Sequence, residues 1–492
     1  MEIKDLQNKL VAVLGFGLEG EATTKYLLDH GVSPTLFDQK PWDLWPKDAQ
    51  EKIKLLGINF IFGPDCFKEL ATFDVAFRSP GVSLYNLSMA IPSSNFAKAS
   101  SDLRKGEGKL QITSQTKWFF EHCPAKIIGV TGTKGKGTTA SLIYEMFSMS
   151  LRVHPKQSHE LKGLPRLSDA FEARNDKGLV YLTGNIGKVQ PLEFLDNLTA
   201  DDWVVYELSS FQLQDLQQSP HIGVVLMTTS EHLDYHQDES EYVEAKSAIV
   251  KYQTTDDVAI INADYKNSGQ IGQLGHGKKL FFSRQTTQGD CYVENNILVL
   301  KNSDFQFNLN ELGLVGSHNY ENACAAVLAA KSAGCVDETI KKILREFKGL
   351  EHRLEFVAEK NGIKFYNDSF STTPETAIAA IKAFATPEIL ILGGSSKKSD
   401  FTELVEIIVQ TKNLKTIILV GEESNCLKDL IKNKYTGKLL EGAQNLEQVF
   451  EQIKSCAQSG DVVILSPACA SFDWFSNYNE RGLKFKALAN KF

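Results

Sequence analysis

A dense run of glycine, threonine and lysine lies between a short apolar segment and a stretch with helical periodicity. The run is Val130–Thr139, and the helix-like stretch is Ala140–Phe147. Glycines let successive backbone N–H groups turn toward one anion, the helix start adds its positive end, and Lys136 supplies a point charge for the β- and γ-phosphates. The pattern predicts a nucleoside triphosphate site. It departs from the strict P-loop because Val130 occupies the first glycine position and Gly137 follows the lysine. A turn that merely joins a strand to a helix is the structural alternative.

A second glycine pattern occurs near the start of the chain. Gly15–Gly20 reads G-x-G-x-x-G after an apolar run and before the helix-like Glu21–His30, and Asp38 closes the next apolar run. This context predicts a dinucleotide or a nucleotide-sugar diphosphate on the turn, with packing glycines as the alternative. The triphosphate loop on the same chain argues against a dehydrogenase, because hydride transfer has no use for a triphosphate.

Two side chains that could bind a metal ion follow predicted strands. Glu207 ends the apolar run Trp203–Glu207, and His232 follows a later run. Ligands of parallel α/β sheets bind at the carboxyl ends of the strands. Mg²⁺ on a triphosphate needs few protein ligands. A solvated glutamate and a structural histidine are the alternatives for these two residues.

The elements that would position these residues are short Val/Ile-rich runs alternating with helical periods, which predict parallel α/β sheets. The fold class is therefore α/β with three domains, each a largely parallel sheet with flanking helices: a Rossmann-like amino-terminal domain, a P-loop central domain and a Rossmann-like carboxyl-terminal domain. We place them at 1–115, 116–348 and 349–492. The polar stretch 93–108 is interpreted as a loop or linker, and 156–177 as an insertion of unassigned role. The predicted strands are Lys9–Gly15, Thr35–Asp38, Asp74–Arg78, a strand from Lys126, Trp203–Glu207, Ile222–Met227, Val258–Asn262, Ile389–Gly393, Thr416–Gly421 and Val462–Ser466, with a helix over Asn319–Ala333.

The composition of the chain argues against several kinds of function. The 492 residues carry a formal net charge of -8 and no basic cluster, which argues against nucleic-acid binding. The amino end lacks the features of a secretion signal, and no apolar run reaches the ~18 residues of a membrane span. We expect a cytoplasmic monomer. The 8 cysteines are scattered without C-x-x-C pairs, which is typical of reduced, packed thiols.

Taken together, the motifs resemble those of the Mur ligases of peptidoglycan synthesis, in particular the members that join glutamate to UDP-N-acetylmuramoyl-L-alanine. The resemblance covers nearly the whole chain, and its motifs occur in family order. They are Gly15–Gly20, Ser79–Gly81, Thr131–Thr138, Gly184–Gly187, Glu207–Gln212, Glu231–Asp234, Lys246, His318 with Asn319 and Asn322, His352 with Arg353, Asn367–Ser369 and Leu465–Ser471.

The resemblance implies an ATP-dependent amide ligase that takes UDP-N-acetylmuramoyl-L-alanine and glutamate as substrates and uses Mg²⁺, with two ions expected. It assigns residues to the nucleotide-sugar and acceptor substrate: Leu18, Glu19, Asp38, Ser79, Pro80, Gly81, Asn185, Ser209 and Gln212. It assigns others to ATP: Gly132, Thr133, Lys134, Gly135, Lys136, Gly137, Thr138, Asn319, Asn322, Arg353 and Asp368. Around the incoming amino acid it implies Thr372, Lys397, Ser471 and Tyr478.

The resemblance also implies a metal set and a catalytic set. Thr138, Glu207, His232 and Lys246 would hold Mg²⁺, with Lys246 converted by CO₂ to a carbamate. This reaction replaces a cation with an anionic oxygen ligand. Lys136, Glu207, His232 and Lys246 would be the catalytic residues.

Some residues depart from the family pattern. Phe370 stands where the glutamate-adding members usually carry a lysine, Tyr478 stands for a phenylalanine, and the Lys-Gly-Thr loop is closer to folylpolyglutamate synthases. D-glutamate is the expected amino acid, and an L-glutamate-adding variant is the first alternative. A folylpolyglutamate synthase would leave the Gly15–Asp38 module without a purpose. A non-catalytic nucleotide-binding module would have little need for Glu207, His232 and Lys246 together.

Overall fold

A computed structural model describes residues 1–85, 87, 110–152, 178–186, 189–229, 235–396 and 399–492. The predicted linker 93–108 and insertion 156–177 lie outside these ranges. The chain forms two compact units. The first contains Met1–Phe307 and Glu321–Lys341, and the second contains Asn308–Tyr320 and Lys342–Phe492.

The described strands form three sheets. The first has the order β3-β2-β1-β4-β5 and consists of β1 Val11–Leu14, β2 Thr35–Asp38, β3 Asn59–Phe62, β4 Val75–Arg78 and β5 Gln111–Ser114. All of its pairs are parallel. The strands β1 and β4 are buried at every position, which is why they consist of continuous apolar runs rather than alternating ones.

The second sheet has the order β14-β13-β12-β11-β10-β9-β6-β8-β7. Its strands are β6 Lys126–Thr131, β7 Val180–Gly184, β8 Trp203–Glu207, β9 Ile222–Val225, β10 Val258–Asn262, β11 Lys278–Ser283, β12 Cys291–Glu294, β13 Ile297–Leu300 and β14 Gln306–Asn308. The run from β7 to β12 is parallel, and β12 pairs with β13 antiparallel. These two sheets belong to the first unit, apart from Asn308 at the end of β14.

The third sheet lies in the second unit and has the order β15-β16-β20-β17-β18-β19. Its strands are β15 Glu355–Lys360, β16 Ile363–Asn367, β17 Glu388–Gly393, β18 Leu414–Val420, β19 Lys438–Leu440 and β20 Val462–Leu465. The pairs are parallel except for the hairpin of β15 and β16. Apolar side chains from both faces of this sheet form two separate cores with the flanking helices.

Helices connect the strands and cover the sheets. The α-helices are Leu18–Asp29, Lys47–Leu55, Gln115–His122, Lys136–Arg152, Ser210–Leu213, Glu239–Lys251, Lys266–Gly272, His318–Ser332, Asp337–Glu346, Pro374–Ile381, Thr402–Gln410, Ser424–Ile431, Leu446–Cys456 and Tyr478–Lys491. Short 3₁₀ helices span Ile3–Leu6, Trp42–Leu44, Cys66–Thr72, Pro191–Glu193, Leu195–Asn197 and Leu309–Glu311. Within the part of the chain that the structure describes, none of the helices has the length and apolarity that a bilayer crossing requires.

The predicted α/β class with parallel-dominated sheets is confirmed, and the strand ends differ by a residue or two for local reasons. The strand predicted from Lys9 starts at Val11, and the backbone N–H of Leu10 binds the Asp74 carboxylate at 2.8 Å instead of a carbonyl of a neighbouring strand. It ends at Leu14, because Gly15 turns to a φ of +85°. The helix predicted over Asn319–Ala333 spans His318–Ser332.

Candidate active site

The glycine turn after β1 opens onto a cavity in the first unit. The cavity has a volume of about 450 Å³ and is lined by Gly15–Glu19, Asp38, Gln39, Phe67 and Ser79–Val82. It therefore brings together all six residues that the sequence predicted for the nucleotide end of the sugar substrate: Leu18, Glu19, Asp38, Ser79, Pro80 and Gly81.

The turn itself is shaped for close approach. A Cβ on Gly20 would lie 1.9 Å from the Gly15 carbonyl oxygen, so only glycine lets the helix start pack against the strand end. Ser79 ties the next strand to the turn by donating to the Gly15 carbonyl at 3.2 Å. Asp38 accepts from the backbone N–H groups of Phe16 at 3.2 Å and Lys40 at 2.8 Å. The Asp38 carboxylate therefore lines the cavity and also holds the backbone at its edge.

A buried polar link runs from this cavity to the second sheet. Gln212 donates from Nε2 to Oε1 of Glu19 at 2.6 Å, while Oε2 of Glu19 is buried and accepts no hydrogen bond from the described residues. Burial raises the pKa of Glu19 to about 7, against the opposing effects of Gln212 and Arg78. Glu19 and Gln212, predicted as separate substrate contacts, thus form one hydrogen-bonded pair.

The second glycine-rich loop joins β6 to the helix Lys136–Arg152. Gly132 has a φ of +153° and Gly135 a φ of +86°, and added Cβ atoms would lie 2.8 Å from Leu226 Cβ and 2.2 Å from Asn322 Oδ1. The loop therefore needs glycine at both positions. Such a turn before a helix directs N–H groups at an anion, so the loop fits a triphosphate.

Two lysines contact this loop. Lys136 donates from Nζ to the carbonyl oxygens of Gly132 at 3.1 Å and Thr133 at 3.0 Å. Lys246, on the helix Glu239–Lys251, is buried and donates from Nζ to Gly132 O at 3.0 Å and Thr131 Oγ1 at 3.3 Å. The structure therefore brings these two predicted site residues together at one turn.

The loop lies at the carboxyl edge of the central sheet, next to other predicted site residues. Val130 is in register with Glu207 of β8, which is in register with Gly184 of β7. Glu207 is buried, and Asn185, directly after Gly184, is exposed. Ser209 follows Glu207 and caps the helix Ser210–Leu213 in a reciprocal pair with Gln212. His232 lies outside the described residues.

The donor set at this edge fits Mg²⁺. Among the described residues no three His, Cys, Asp or Glu side chains converge on one point. Nucleotide-bound Mg²⁺ uses one or two carboxylates together with phosphate oxygens and water. The carboxylate of Glu207 and the hydroxyl of Thr138, in the first turn after the loop, are oxygen donors of that kind.

The predicted adenine residues lie on the helix His318–Ser332. Asn322 packs against Gly135 of the loop, as the clash with an added Cβ shows. Asn319, one turn earlier on the same helix face, donates to the Val315 carbonyl at 2.7 Å. Both asparagines are buried.

In the second unit, Asp368 follows β16 and is buried. Its carboxylate accepts from Ser466 Oγ at 2.7 Å and from the Leu354 N–H at 3.0 Å. Burial raises the pKa of Asp368 to about 7, with these hydrogen bonds and Arg353 acting in the opposite direction.

Arg353 sits in a strained turn. Its neighbours His352 and Leu354 have φ values of +65° and +44°, a left-handed conformation that costs non-glycine residues free energy. The turn is held by Asp368 and by the His352 ring, which contacts Asn367 Nδ2 at 2.8 Å. Strain of this kind persists only where the surroundings impose it.

The residues predicted around the amino acid follow β16 and β20 or begin the last helix. Thr372 is partly buried, Ser471 is buried and Tyr478 is 39% exposed. Ser466 Oγ donates to Ser371 Oγ at 2.9 Å, which joins the two loops. Lys397 lies outside the described residues.

Sequence reasoning missed Arg78, the last residue of β4. Its guanidinium is fully buried, donates to Val82 O at 3.0 Å and Phe211 O at 2.9 Å, and lies 3.4 Å from Asp215. The sequence did contain a signal for Arg78, because an arginine at the end of an apolar run is a candidate buried charge, and a buried charge needs partners. The sequence analysis also did not predict a role for Arg481. This buried side chain donates to the carbonyls of Ser369, Cys469 and Ala470.

Two glycine-rich turns on parallel α/β sheets, one beside a cavity of about 450 Å³ and one directly before the helix Lys136–Arg152, are features of a nucleotide-using α/β enzyme. Comparison with known proteins specifies the class. Residues 130–330 match the Mur ligase middle domain, and residues 352–469 match the domain described as "Mur ligase, glutamate ligase domain".

Full-length relatives agree. The chain is 34% identical over 498 residues to a UDP-N-acetylmuramoylalanine--D-glutamate ligase of Acetivibrio thermocellus, covering 99% of this chain and 97% of that protein. It is 34% identical over 487 residues to the enzyme of the same name from Clostridium kluyveri, covering 98% and 96%. A crystal structure of a MurF ligase from Thermotoga maritima in complex with ADP shares the fold, with a TM-score of 0.54, 15% identity and coverage of 100% and 97%.

The chain belongs to the Mur ligase family, and it is an ATP-dependent ligase. The resemblance inferred from the ordered motifs is thereby confirmed.

Proposed function

We propose that this ligase joins glutamate, in the D configuration, to UDP-N-acetylmuramoyl-L-alanine in the presence of ATP and Mg²⁺. The observation that carries the proposal is the pairing of two phosphate-type turns in the first unit: the cavity at Gly15–Glu19 and the cradle at Gly132–Lys136. A ligase that uses ATP to activate a nucleotide-sugar needs two phosphate-binding sites, one for each nucleotide. The names of the full-length relatives supply the substrate.

The chemistry follows from what an amide bond requires. The terminal carboxylate of the alanyl substrate is a poor electrophile, so it takes the γ-phosphoryl group of ATP and becomes an acyl phosphate, with ADP released. The amino group of glutamate then attacks this carbonyl carbon, and phosphate leaves from the tetrahedral intermediate. Several anionic groups must therefore share a small space, and catalysis consists mainly of neutralising and positioning them.

Different residues of this chain would neutralise and position these anionic groups. Lys136 and the helix start behind it would neutralise the β- and γ-phosphates, as its position on the Gly132 loop supports. Asn185 and Ser209, beside Glu207 at the same sheet edge, would orient the acceptor substrate. Mg²⁺, held by Thr138, Glu207 and His232, would lower the charge between the phosphates and the carboxylate.

Lys246 fits the predicted carbamate. Its ammonium is buried against the loop that would hold the phosphates, at 3.0 Å from Gly132 O. Reaction with CO₂ would remove this cation and place carboxylate-like oxygens where an anionic metal ligand is needed.

In the second unit, Arg353 and Asp368 would contact ATP, and Thr372, Lys397, Ser471 and Tyr478 the incoming amino acid. The support is that Asp368, Thr372 and Ser471 follow β16 or β20, at the edge where ligands of parallel sheets bind, and that Tyr478 begins the last helix. Arg353 lies in the turn that Asp368 holds through Leu354. We place the corresponding domains at 1–115, 116–348 and 349–492.

The test is ADP release by the purified protein with ATP, Mg²⁺ and UDP-N-acetylmuramoyl-L-alanine, with D-glutamate, L-glutamate or no amino acid. We expect release that depends on D-glutamate, with a product whose mass has grown by one glutamyl residue. UDP-N-acetylglucosamine, which lacks the carboxylate to be activated, serves as the matched control. Turnover with L-glutamate alone would contradict the stereochemical assignment, and no turnover with any amino acid would contradict the proposed substrate.

A further inference from the structure

Phe370 occupies an unusual place for a large apolar residue. It lies in the loop after Asp368 and Ser369 and is 37% exposed. Its ring centroid is 4.0 Å from Cζ of Arg353, and the ring of Tyr478 meets it edge-on with a centroid distance of 5.0 Å. This partly exposed ring therefore contacts a guanidinium and a second aromatic ring.

Backbone hydrogen bonds tie the ring and the guanidinium into one piece. Phe370 donates its N–H to the His352 carbonyl at 3.0 Å, and the Leu354 N–H binds the Asp368 carboxylate at 3.0 Å. The loop that carries the ring is thus attached on both sides of Arg353. These bonds fix where the two side chains start, so that the ring and the guanidinium can meet.

The residues beside Phe370 and Arg353 are also attached to the last helix. Ser369 donates from Oγ to the Tyr478 carbonyl at 2.7 Å, and Arg481 binds Ser369 through Nε at 3.0 Å. The His352 ring contacts Asn479 at 2.5 Å, and a Cβ on Gly482 would lie 2.2 Å from its Nδ1. The start of the helix Tyr478–Lys491 therefore packs tightly against the turn.

This arrangement has a consequence for Arg353. A guanidinium stacked on an aromatic face keeps its N–H groups directed outward in its own plane, where they can bind phosphate or ribose oxygens. Stacking also removes side-chain rotamers before any ligand arrives, which lowers the entropic cost of binding. The strained φ values of His352 and Leu354 fit the same purpose, since they fix where the side chain starts.

We propose that Phe370 is a positioning residue that acts through Arg353 on the nucleotide, so that the aromatic face at this position sets affinity for ATP and ADP rather than for the amino acid. The inference rests on the proposed assignment of Arg353 to ATP.

The experiment uses the full-length protein and four variants. Phe370→Leu keeps apolar bulk without a π face, Phe370→Tyr keeps the face, Arg353→Ala removes the partner, and the double variant Phe370→Leu/Arg353→Ala removes both. Phe356→Leu is the matched control, because Phe356 is 39% exposed in the same unit and its ring meets Tyr366 at 5.5 Å. KM for ATP, KM for glutamate and kcat are measured by ADP release, and ADP affinity is measured separately by calorimetry.

We expect Phe370→Leu to raise KM for ATP and weaken ADP about threefold, with KM for glutamate unchanged. Phe370→Tyr and Phe356→Leu should match the parent. In the Arg353→Ala background, Phe370→Leu should add nothing, because its effect passes through the guanidinium.

Other outcomes would overturn the inference. A raised KM for glutamate with unchanged ADP affinity in Phe370→Leu would place the ring in the amino-acid pocket. Equal losses in both Arg353 backgrounds would show that the ring does not act through Arg353. If Arg353→Ala itself binds ADP normally, the assignment of Arg353 to ATP fails, and the inference fails with it. Because ADP affinity needs no acceptor substrate, a failure of the proposed glutamate-adding reaction would leave this measurement intact and would be seen separately.

Discussion

The loop at Gly132–Lys136 and the turn at His352–Leu354 both reach left-handed backbone conformations, but by opposite means. The loop reaches left-handed φ values of +153° and +86° at glycines, whose missing side chains leave N–H groups free to face an anion. The turn reaches +65° and +44° at histidine and leucine, and it presents one guanidinium. A backbone cradle requires that side chains be absent, whereas a side-chain ligand requires neighbours that hold it.

The two solutions have different costs. Each left-handed non-glycine residue costs about 1–2 kcal/mol, and a typical net hydrogen bond contributes about 1 kcal/mol. The bonds from Leu354 to Asp368 and from the His352 ring to Asn367 are thus of the size needed to hold the turn. The cradle needs no such support, so its sensitivity should lie in its lysines and glycines, and the following predictions test this.

The largest effect should come from Lys136→Ala. Removing the point charge at the cradle should lower kcat by about 10²–10³, because that charge is needed where negative charge develops. Binding of the nucleotide-sugar should change much less, since its cavity lies at the other turn. Steady-state kinetics and calorimetry check both, and the exposed Lys301→Ala is the control. Near-parent turnover at saturating ATP would remove this loop from the triphosphate site.

Lys246→Ala should lower kcat roughly 100-fold, because an anionic oxygen ligand would be lost. Short carboxylic acids such as formate or acetate should restore part of the rate by occupying the vacated space. The control is Lys251→Ala, on the same helix but paired with Glu244 at the surface. A fully active Lys246→Ala enzyme would contradict the carbamate.

Gly135→Ala should raise KM for ATP about tenfold. Alanine there would have to adopt a φ of +86° and would bring its Cβ to 2.2 Å from Asn322 Oδ1. Gly269→Ala, in a helix with open space around the added Cβ, should be neutral. If both variants bound ATP equally well, the contrast between a glycine cradle and a side-chain turn would lose its basis.

The last effect concerns stability rather than catalysis, and it comes from a buried carboxyl at the opposite end of the third sheet. Burial raises the pKa of Glu388 from 4.5 to about 8, with Asn413 donating to it. Between these values the folded protein keeps a proton that the unfolded chain loses. The free energy of unfolding should therefore fall as pH rises from about 5 to 8, by up to about 1.4 kcal/mol per pH unit from this group.

Glu388→Gln should flatten that dependence, because glutamine has no proton to lose. Denaturant unfolding at pH 5.5, 6.5 and 7.5 measures the slope, with the exposed Glu447→Gln as control. The same slope in Glu388→Gln and the parent would show that another group is responsible.

Strands that are buried on both faces were the part of the fold most readable from the chain. Thr35–Asp38, Trp203–Glu207 and Val258–Asn262 have the predicted bounds. The ends of Val11–Leu14, Val75–Arg78 and Ile222–Val225 differ from the prediction by one or two residues, because a continuous apolar run marks the position of a strand more closely than its ends. The hairpin of β12 and β13 was not predicted. Its strands are only partly buried, and the turn depends on Asn295 and Asn296 at φ values of +49° and +62°.

The sequence by itself determined the α/β class and the two glycine turns, and it predicted most residues of the candidate site, because phosphate binding demands particular residue types at short spacings. Only the tertiary structure decided which distant residues meet. Lys246 reaches Gly132, Gln212 pairs with Glu19, Arg78 is buried between β4 and the Ser210–Leu213 helix, and Phe370 stacks on Arg353. These contacts join residues far apart along the chain or on separate elements, and they depend on strand order and on the direction of each side chain, which local pattern does not encode.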